Sequence, residues 1–375
     1  MDSSSSLNRR HCLAALAALT APRLARGDGR ADAAGSPVLA RVAGRTGAAG
    51  CRLAAAWDDE AGHHIGLLVE TDGALHIAAS TEVPTRAHGL LWERGATLLA
   101  VARRPGDWLL RWHPKQRTVQ RVWSEPDRSF NGHVLVSPDG RTLYTTQTDL
   151  DTGAGLIGVR DARSLEQRAE WPSHGLDPHA LLFDVQGRLL VANGGIPTQP
   201  ETGRAKRGLD RMDASLVRLD VEANGRRLGQ WRLDDARLSL RHLARQGRHV
   251  GIALQAEHDD EPRRAGASVL ALFDGEVLRL AEPAPLAGYG GDIAAWRGGG
   301  FAVACPRANG VALWHADGRA AGFTALASGC ALAATPTALW AGGEKQALTL
   351  QTVPSRPLAL PALRLDNHWV AAAEN

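Results

Sequence analysis

The chain repeats one short pattern along most of its length. Each copy begins with a polar residue and continues with a β-like run, a polar turn that usually contains glycine, and a second β-like run. The clear copies, "HGLLWERGATLLAVARR", "HVLVSPDGRTLYTTQ", "HALLFDVQGRLLVANGG" and "HLARQGRHVGIALQ", start at His88, His133, His179 and His242. Weaker copies start at Cys51, Asp292 and Cys330, so seven starts recur at intervals of roughly 40–60 residues.

A third and a fourth β-like run follow several of these hairpins. Examples are "GLIGVRDA" at 155–162 and "QRAEWPS" at 167–173. Short strands at a regular spacing indicate an all-β chain, and four strands per unit are typical of a β-propeller. The sequence therefore predicts one seven-bladed β-propeller of the YVTN or WD40 type over 36–375, with four-stranded antiparallel blades. A tandem of β-sandwiches is the competing interpretation, but sandwiches do not repeat one hairpin pattern seven times.

A closed propeller needs a strand from the other end of the chain to complete one blade, because an open sheet edge promotes aggregation. Two segments have the required β-like composition, "SPVLARVAG" at 36–44 and "PALRLDNHWV" at 361–370. The sequence does not decide between them.

The first 35 residues have the composition of an export signal. A polar leader precedes Arg9-Arg10, an apolar run from Cys12 to Leu19 and then small residues. This order resembles a twin-arginine signal peptide, with a disordered arm as the alternative. The apolar run is too short for an ordinary membrane span, so we expect a periplasmic mature chain without one. A net charge of +3 from 43 basic and 40 acidic residues does not suit a dedicated nucleic-acid binder.

The residue that begins each repeat is of a type that can ligate a metal. In a propeller, these positions lie at the mouth of the central channel, where imidazole, thiolate and carboxylate suit Fe, Cu or Zn. A channel of seven blades is wide, so we expect an ion to use two to four neighbouring residues. The primary candidates are His88, His133, His179 and His242, and the weaker ones are His174, Asp292, Cys51 and Cys330. Two alternatives remain open: purely structural histidines that bond backbone groups, or an anionic ligand bound by protonated imidazoles.

Known enzyme signatures are absent from the sequence. It contains no G-x-S-x-G elbow, P-loop, C-x-x-C-H or H-E-x-x-H motif. An acid–base pair of His133 with Asp149, or of His179 with Asp177, stays open, and so does a disulfide between Cys51 and Cys330. We therefore regard enzymatic activity as uncertain and a non-enzymatic role as the better expectation.

Several runs together resemble the bacterial domain-of-unknown-function 1513 family. They include "FNGHVLVSPDGRTLYTTQTD", "WPSHGLDPHALLF", "VANGGIPTQPETGRAK", "LSLRHLA" and "DNHWV", and the resemblance extends from about residue 37 to 372. It implies a periplasmic, twin-arginine-exported, seven-bladed propeller related to the YVTN/lactonase-like group. It also implies partners from iron uptake, namely imelysin-like and di-haem cytochrome-like proteins, and carries no established catalytic activity.

The family's histidines match this sequence at His88, His133, His174, His179, His242 and His368. The sequence departs from the family at Asn131, where an aromatic residue is common, at 146–149, where the family is acidic, and at Gln199, where it often has histidine. If a departing position were a ligand in relatives, the metal hypothesis would be weaker here.

The sequence thus predicts a periplasmic binding or scaffold protein, accessory to iron acquisition, that binds a transition metal at a histidine-lined channel mouth. One alternative is a metal-dependent lactonase-like enzyme or oxidoreductase that uses the same histidines. The other is a metal-free docking platform for a partner protein.

Overall fold

The computed structural model describes residues 52–197, 208–335, 338–350 and 355–372. Within these ranges the chain forms 28 β-strands and one short α-helix, α1 (Glu261–Gly266). Single 3-10 turns lie at Leu209–Arg211 and Pro306–Ala308. The all-β prediction is therefore confirmed.

The strands follow one another as hairpins. The described chain opens with β1 (Arg52–Asp58), β2 (His63–Thr71) and β3 (Ala74–Val83). The next twelve are β4 (Ala87–Glu93), β5 (Thr97–Ala102), β6 (Trp108–His113), β7 (Thr118–Trp123), β8 (Arg128–Val136), β9 (Thr142–Asp149), β10 (Gly155–Asp161), β11 (Gln167–Pro172), β12 (Pro178–Phe183), β13 (Leu189–Asn193), β14 (Ser215–Asp220) and β15 (Arg226–Trp231). The remainder are β16 (Leu238–Gln246), β17 (His249–Ala256), β18 (Leu270–Phe273), β19 (Leu278–Leu280), β20 (Asp292–Trp296), β21 (Gly300–Cys305), β22 (Gly310–His315), β23 (Ala320–Ala325), β24 (Ala331–Ala334), β25 (Leu339–Gly342), β26 (Gln346–Leu350), β27 (Arg356–Ala359) and β28 (Arg364–Ala371).

The strands are grouped into four-stranded antiparallel sheets. Five such sheets comprise β4–β7, β8–β11, β12–β15, β16–β19 and β20–β23, each in chain order. The remaining strands form one sheet of eight in the order β24-β25-β26-β27-β3-β2-β1-β28. A single parallel pair, Ala359 with Ala74, joins its two halves.

One edge strand of each group faces a common axis. These inner strands are, in chain order, β4, β8, β12, β16, β20, β24 and β28. Each contacts the following strand of this series, and β28 also contacts β4. These inner strands therefore form a closed circuit. Their neighbours in each sheet, such as β5 and β13, are buried almost throughout, whereas outer strands such as β7 are largely exposed.

The C-terminal segment forms the edge of the eight-stranded sheet beside β1. Strand β28 pairs antiparallel with β1, from Leu53 opposite Ala371 to Asp58 opposite Arg364. Of the two closing segments left open by the sequence, the structure uses the one at 361–370, and 36–44 lies outside the described residues. The interpretation of the run after Cys51 as a channel-lining first strand was wrong, because β28 occupies the inner position and β1 is the second strand.

The core lies between adjacent sheets. One apolar cluster joins Ala54 and Ile65 of the first sheet to Leu98 and Trp108 of the next. Trp108 is fully buried, and its indole N–H donates to Thr85 Oγ1 at 2.8 Å. Burying each large apolar side chain of this kind contributes about 1.5–3 kcal/mol, so the stability of the fold is spread over the contacts between sheets.

Turn chemistry fixes the hairpin register. Asp72 and Gly73 link β2 to β3 with positive φ at both positions, 53° and 79°. A two-residue turn of this kind matches the twist of antiparallel strands and favours Asp-Gly. In the ranges that the structure describes, no helix has the length and hydropathy to cross a membrane.

Candidate functional site

The four primary candidate histidines lie on four successive inner strands, and each lies where the strand pairing is interrupted. The register of these strands shifts between Ala87 and Leu90, between Phe130 and Val134, between Pro178 and Ala180, and between Leu240 and Leu243. These intervals contain His88, His133, His179 and His242. A β-bulge bends its strand and redirects the side chain of the extra residue. Four bulges on neighbouring sheets therefore allow these histidines to meet near the axis.

Two glycines let the first two of these strands approach closely. A Cβ atom at Gly89 would lie 2.1 Å from the carbonyl oxygen of Gly132. Gly132 itself has a φ of 98°, and a Cβ atom there would lie 2.8 Å from Cδ2 of His88. A side chain at either position would push β4 and β8 apart, so both glycines are needed for His88 and His133 to meet.

The imidazole nitrogens of the four histidines converge. The Nε2 atoms of His133 and His179 are 3.3 Å apart, and those of His179 and His242 are 2.8 Å apart. One ring nitrogen from each of the four residues lies within 4.8 Å of the others. Two nitrogen ligands bonded at about 2.0–2.1 Å to one metal lie about 3.3 Å apart at a tetrahedral angle and about 2.9 Å apart at a right angle. The two short separations fit ligands of a single ion, and they also fit N–H···N hydrogen bonds between neighbouring rings.

A fifth histidine extends the cluster across the closure of the ring. The ring of His368, on β28, lies 4.4 Å from that of His242 and 4.6 Å from that of His88, measured between centroids. Its Nδ1 is 3.3 Å from Asp292 Oδ1. His242, Asp292 and His368 form a second group whose ligand-type atoms lie within 4.8 Å of one another. The two groups adjoin, because they share His242.

A buried carboxylate orients His88. The Nδ1–H group of His88 donates to Asp366 Oδ1 at 2.8 Å, which leaves Nε2 as the nitrogen with the free lone pair. The other oxygen of Asp366 accepts from Arg86 at 2.6 Å and from Arg103 at 2.5 Å. A carboxylate that fixes the tautomer and the orientation of a histidine in this way is a common companion of metal-bound imidazole.

Burial keeps the central histidines neutral. It lowers the pKa of His88 to about 3, although the Asp366 charge and hydrogen bond act in the opposite direction. Burial, with neighbouring imidazole and guanidinium charges, also holds the pKa values of His133, His179 and His242 well below the usual range. Burial opposes the charged form of His368 too, but Asp292 and Asp366 outweigh it and raise that pKa. Neutral imidazole is the form that ligates metals.

Of the four weaker candidate ligands, the structure places one in the cluster of ligand-type residues. Asp292 belongs to the second group, and its other oxygen accepts from the Leu332 N–H at 2.9 Å. His174 and Cys330 belong to neither group; His174 lies in the turn before β12 with a φ of 56°, and burial raises the pKa of the Cys330 thiol to about 12. Cys51, and with it the disulfide to Cys330, lies outside the described residues.

The two suggested acid–base pairs are not formed. Asp149 lies 3.2 Å from Arg128, and its Oδ1 accepts from the backbone N–H groups of Asp151 and Thr152 at 3.0 and 2.8 Å. Asp177, whose side chain is fully buried, bonds the guanidinium groups of Arg104 and Arg241, the latter at 2.8 Å. Arginines thus bind both carboxylates.

Two of the positions that depart from the family pattern lie beside His179. Asn131 is buried, donates to the Pro178 carbonyl at 3.1 Å and accepts from Thr148 at 3.0 Å. Thr146 donates to the carbonyl of His179 itself at 3.2 Å. Asn131 and Thr146 therefore hold the backbone at Pro178 and His179 in place. Gln199 lies outside the described residues.

Comparison with known families settles the relationship that the motifs suggested. Residues 81–372 match the family described as "Protein of unknown function (DUF1513)". The chain belongs to the DUF1513 family. The predicted resemblance is thereby confirmed. Among curated proteins, no significant match is found for this DUF1513 protein.

Solved structures support a propeller-like fold. A putative 6-phosphogluconolactonase from Bacteroides fragilis is 10% identical, with a TM-score of 0.58, and the match covers 88% of this chain and 100% of that one. A catalytically inactive virginiamycin B lyase from Staphylococcus aureus with quinupristin is 11% identical, with a TM-score of 0.55 and coverage of 74% and 84%. A streptogramin B lyase is 12% identical, with a TM-score of 0.54 and coverage of 73% and 83%. At these identities the likeness concerns the fold alone.

Sequence reasoning did not find the charged residues around the DUF1513 histidines. Asp366 was missed because it lies on the closing strand, whose position the repeat pattern did not decide. Arg103 and Arg104 end the first clear copy and Arg241 directly precedes the fourth, but arginine does not recur at these places in the other clear copies, so the repeat did not mark them. A usable signal was present for one of them, since Arg241 directly precedes His242, a repeat start.

Proposed function

We propose that this DUF1513 protein is a periplasmic metal-binding protein in which His88, His133, His179 and His242 hold one transition-metal ion. The observation that carries the proposal is the convergence of their ring nitrogens, with Nε2 separations of 3.3 and 2.8 Å. Lone pairs at such distances repel one another unless a proton or a cation lies between them. Imidazole donors suit Fe, Cu and Zn alike.

We also propose that the scaffold is a seven-bladed propeller. The eight-stranded sheet divides at its single parallel pair into β24–β27 and β28-β1-β2-β3. With the five other sheets this gives seven groups of four strands. The closed circuit of seven inner strands supports the same count.

The cellular setting is part of the proposal. Arg9-Arg10 and the apolar run that follows support twin-arginine export to the periplasm. The family resemblance supports a role as an accessory to iron acquisition, beside imelysin-like and di-haem cytochrome-like proteins. A scaffold that is exported already folded is able to receive its metal before export.

Metal analysis of the mature protein tests the site. The protein is purified from the periplasm and reconstituted separately with Fe, Cu and Zn. The wild type should retain one ion per chain, and His133→Ala and His179→Ala should each lose it. His76→Ala is the matched control, because His76 is exposed on β3 and belongs to neither cluster, and it should retain the ion. Absence of bound metal under every condition would reject the site and favour the docking platform.

Export is tested independently. Replacement of Arg9-Arg10 by two lysines should leave the protein in the cytoplasm, whereas the unchanged chain should fractionate with the periplasm. Capture of the periplasmic protein with a purified imelysin-like partner then tests the iron-uptake setting. Equal fractionation of both forms would contradict the twin-arginine assignment.

A metal-dependent enzyme is the second candidate. One observation favours it: a cavity of about 90 Å³ lies directly beside His88, His179 and His242. Turnover of small lactones or metal-dependent oxidation by the reconstituted protein, lost in His179→Ala, would support this candidate.

A further inference from the structure

The described side chains that line the cavity beside the histidines are basic or neutral polar groups. Besides the three histidines, its wall includes the guanidinium groups of Arg103, Arg104 and Arg241. Its remaining side chains are neutral polar groups: Asn131, Gln255, Tyr289 and Asn367. Among the residues that the structure describes, no aspartate or glutamate lines it. The side chains that face this space therefore offer mainly hydrogen-bond donors and positive charge.

The positive charge at the cavity exceeds the negative charge that supports it. Arg104 and Arg241 share one carboxylate, Asp177, so that this trio carries a net charge of +1. Arg103 shares Asp366 with Arg86, which also lies 3.8 Å from Asp58. The guanidinium groups are mostly buried, with side-chain exposures of 17%, 15% and 12% for Arg103, Arg104 and Arg241. At such positions the charge is only weakly screened by salt.

The local backbone is built to hold this arrangement. Asp177 has a φ of 52°, in the left-handed region that aspartate tolerates in turns. A Cβ atom at Gly194 would lie 2.7 Å from both Asp177 Oδ2 and Arg241 Nη1. Gly194 therefore leaves room for the Asp177–Arg241 pair. A buried carboxylate that anchors two arginines at the wall of a cavity holds their charged donors in fixed positions.

We propose that this cavity binds a small oxyanion of the carboxylate or phosphate type, held by Arg103, Arg104 and Arg241 beside the histidine cluster. The inference rests on the proposed function, because one oxygen of the anion would complete the coordination of the histidine-bound metal. Planar guanidinium groups bind carboxylate and phosphate oxygens in pairs. A cavity of about 90 Å³ is well below the roughly 300–1,000 Å³ of pockets for drug-sized ligands, so the anion is small.

Calorimetric titration with oxalate and with inorganic phosphate tests the inference, on the metal-free and the metal-loaded mature protein. We expect at least one of these anions to bind the wild type, more tightly in the metal-loaded form. Arg104→Gln and Arg241→Gln should each weaken binding tenfold or more, because each removes a charged donor. Arg232→Gln is the matched control: Arg232 makes two bonds to Asp213, at 2.6 and 3.0 Å, and does not line the cavity. Thermal unfolding of every variant checks that it is folded.

The outcomes separate this inference from the function on which it rests. The inference is supported if the wild type binds the anion, Arg104→Gln and Arg241→Gln weaken that binding, and Arg232→Gln does not. This result in the metal-free protein supports the inference even if metal analysis finds no bound ion. Metal binding without anion binding in either form overturns the inference and leaves the proposed function standing. Equal weakening in Arg232→Gln also overturns it, because the effect would then be one of net charge.

Discussion

His88 and Asp366 lie 278 positions apart in the chain and are joined by a hydrogen bond of 2.8 Å between Nδ1 and Oδ1. The bond links β4 to β28, so the first and the last inner strands in chain order meet at the histidine cluster. Through Asp366, the orientation of His88 depends on the docking of the C-terminal strand.

Asp366→Asn should weaken metal affinity 10- to 100-fold, because the substitution removes the charge that fixes the His88 tautomer. The measurement is competition with a chelator on the reconstituted protein. Asp235→Asn is the control, because Asp235 holds His258 through a 2.9 Å contact of the same type away from the cluster. An unchanged affinity in Asp366→Asn would show that the charge of Asp366 does not support metal binding.

Gly89→Ala should destabilise the fold and loosen the cluster together. Its Cβ atom would lie 2.1 Å from a backbone oxygen, so β4 and β8 must separate. Overpacking of this kind costs about 1–3 kcal/mol in the free energy of unfolding. Denaturant titration measures that loss, and metal analysis the second effect. Gly266→Ala is the control, because a Cβ atom there meets nothing within 4 Å, and it should change neither the free energy of unfolding nor the metal content. Equal losses in Gly89→Ala and Gly266→Ala would contradict the close approach of β4 and β8.

Removal of residues 364–375 should abolish the monomeric fold rather than trim it. The truncation deletes β28 with Asp366 and His368, and it leaves the β1 edge unpaired. Size-exclusion chromatography should show aggregation. Removal of 373–375 alone, which spares β28, should give the elution volume of the full chain. A soluble, monomeric truncation to 363 would mean that another segment is able to close the ring.

Cys305 should resist alkylation in the folded protein. Its side chain is fully buried, and burial raises its pKa to about 12. The thiolate is the reactive form, so at pH 8 only a very small fraction is available. Peptide mapping after iodoacetamide treatment should find Cys305 unmodified in the native state and modified after denaturation. Labelling of Cys305 at the same rate in both states would show that β21 opens easily.

The repeat pattern predicted the hairpins and the positions of the four histidines because both are local properties. A β-like run at 155–162 becomes β10 and the run at 167–173 becomes β11, since each is set by alternation and turn residues. The closing strand was not decided, because pairing between distant segments leaves no mark in either segment alone. Arg104 and Arg241 were not predicted as cavity residues for a similar reason. They come from two different sheets and meet only because both bond Asp177.

The bulges have a consequence for how such a site is able to arise. Each histidine of the cluster occupies an interruption within one strand, and β28 also shifts register between Leu365 and Trp369, around His368. The sheets on either side keep their pairing. Gain or loss of a donor therefore requires a change in a single strand, while the interlocking of the sheets is untouched. The set of donor residues in the cluster can therefore differ between chains that share the same arrangement of sheets.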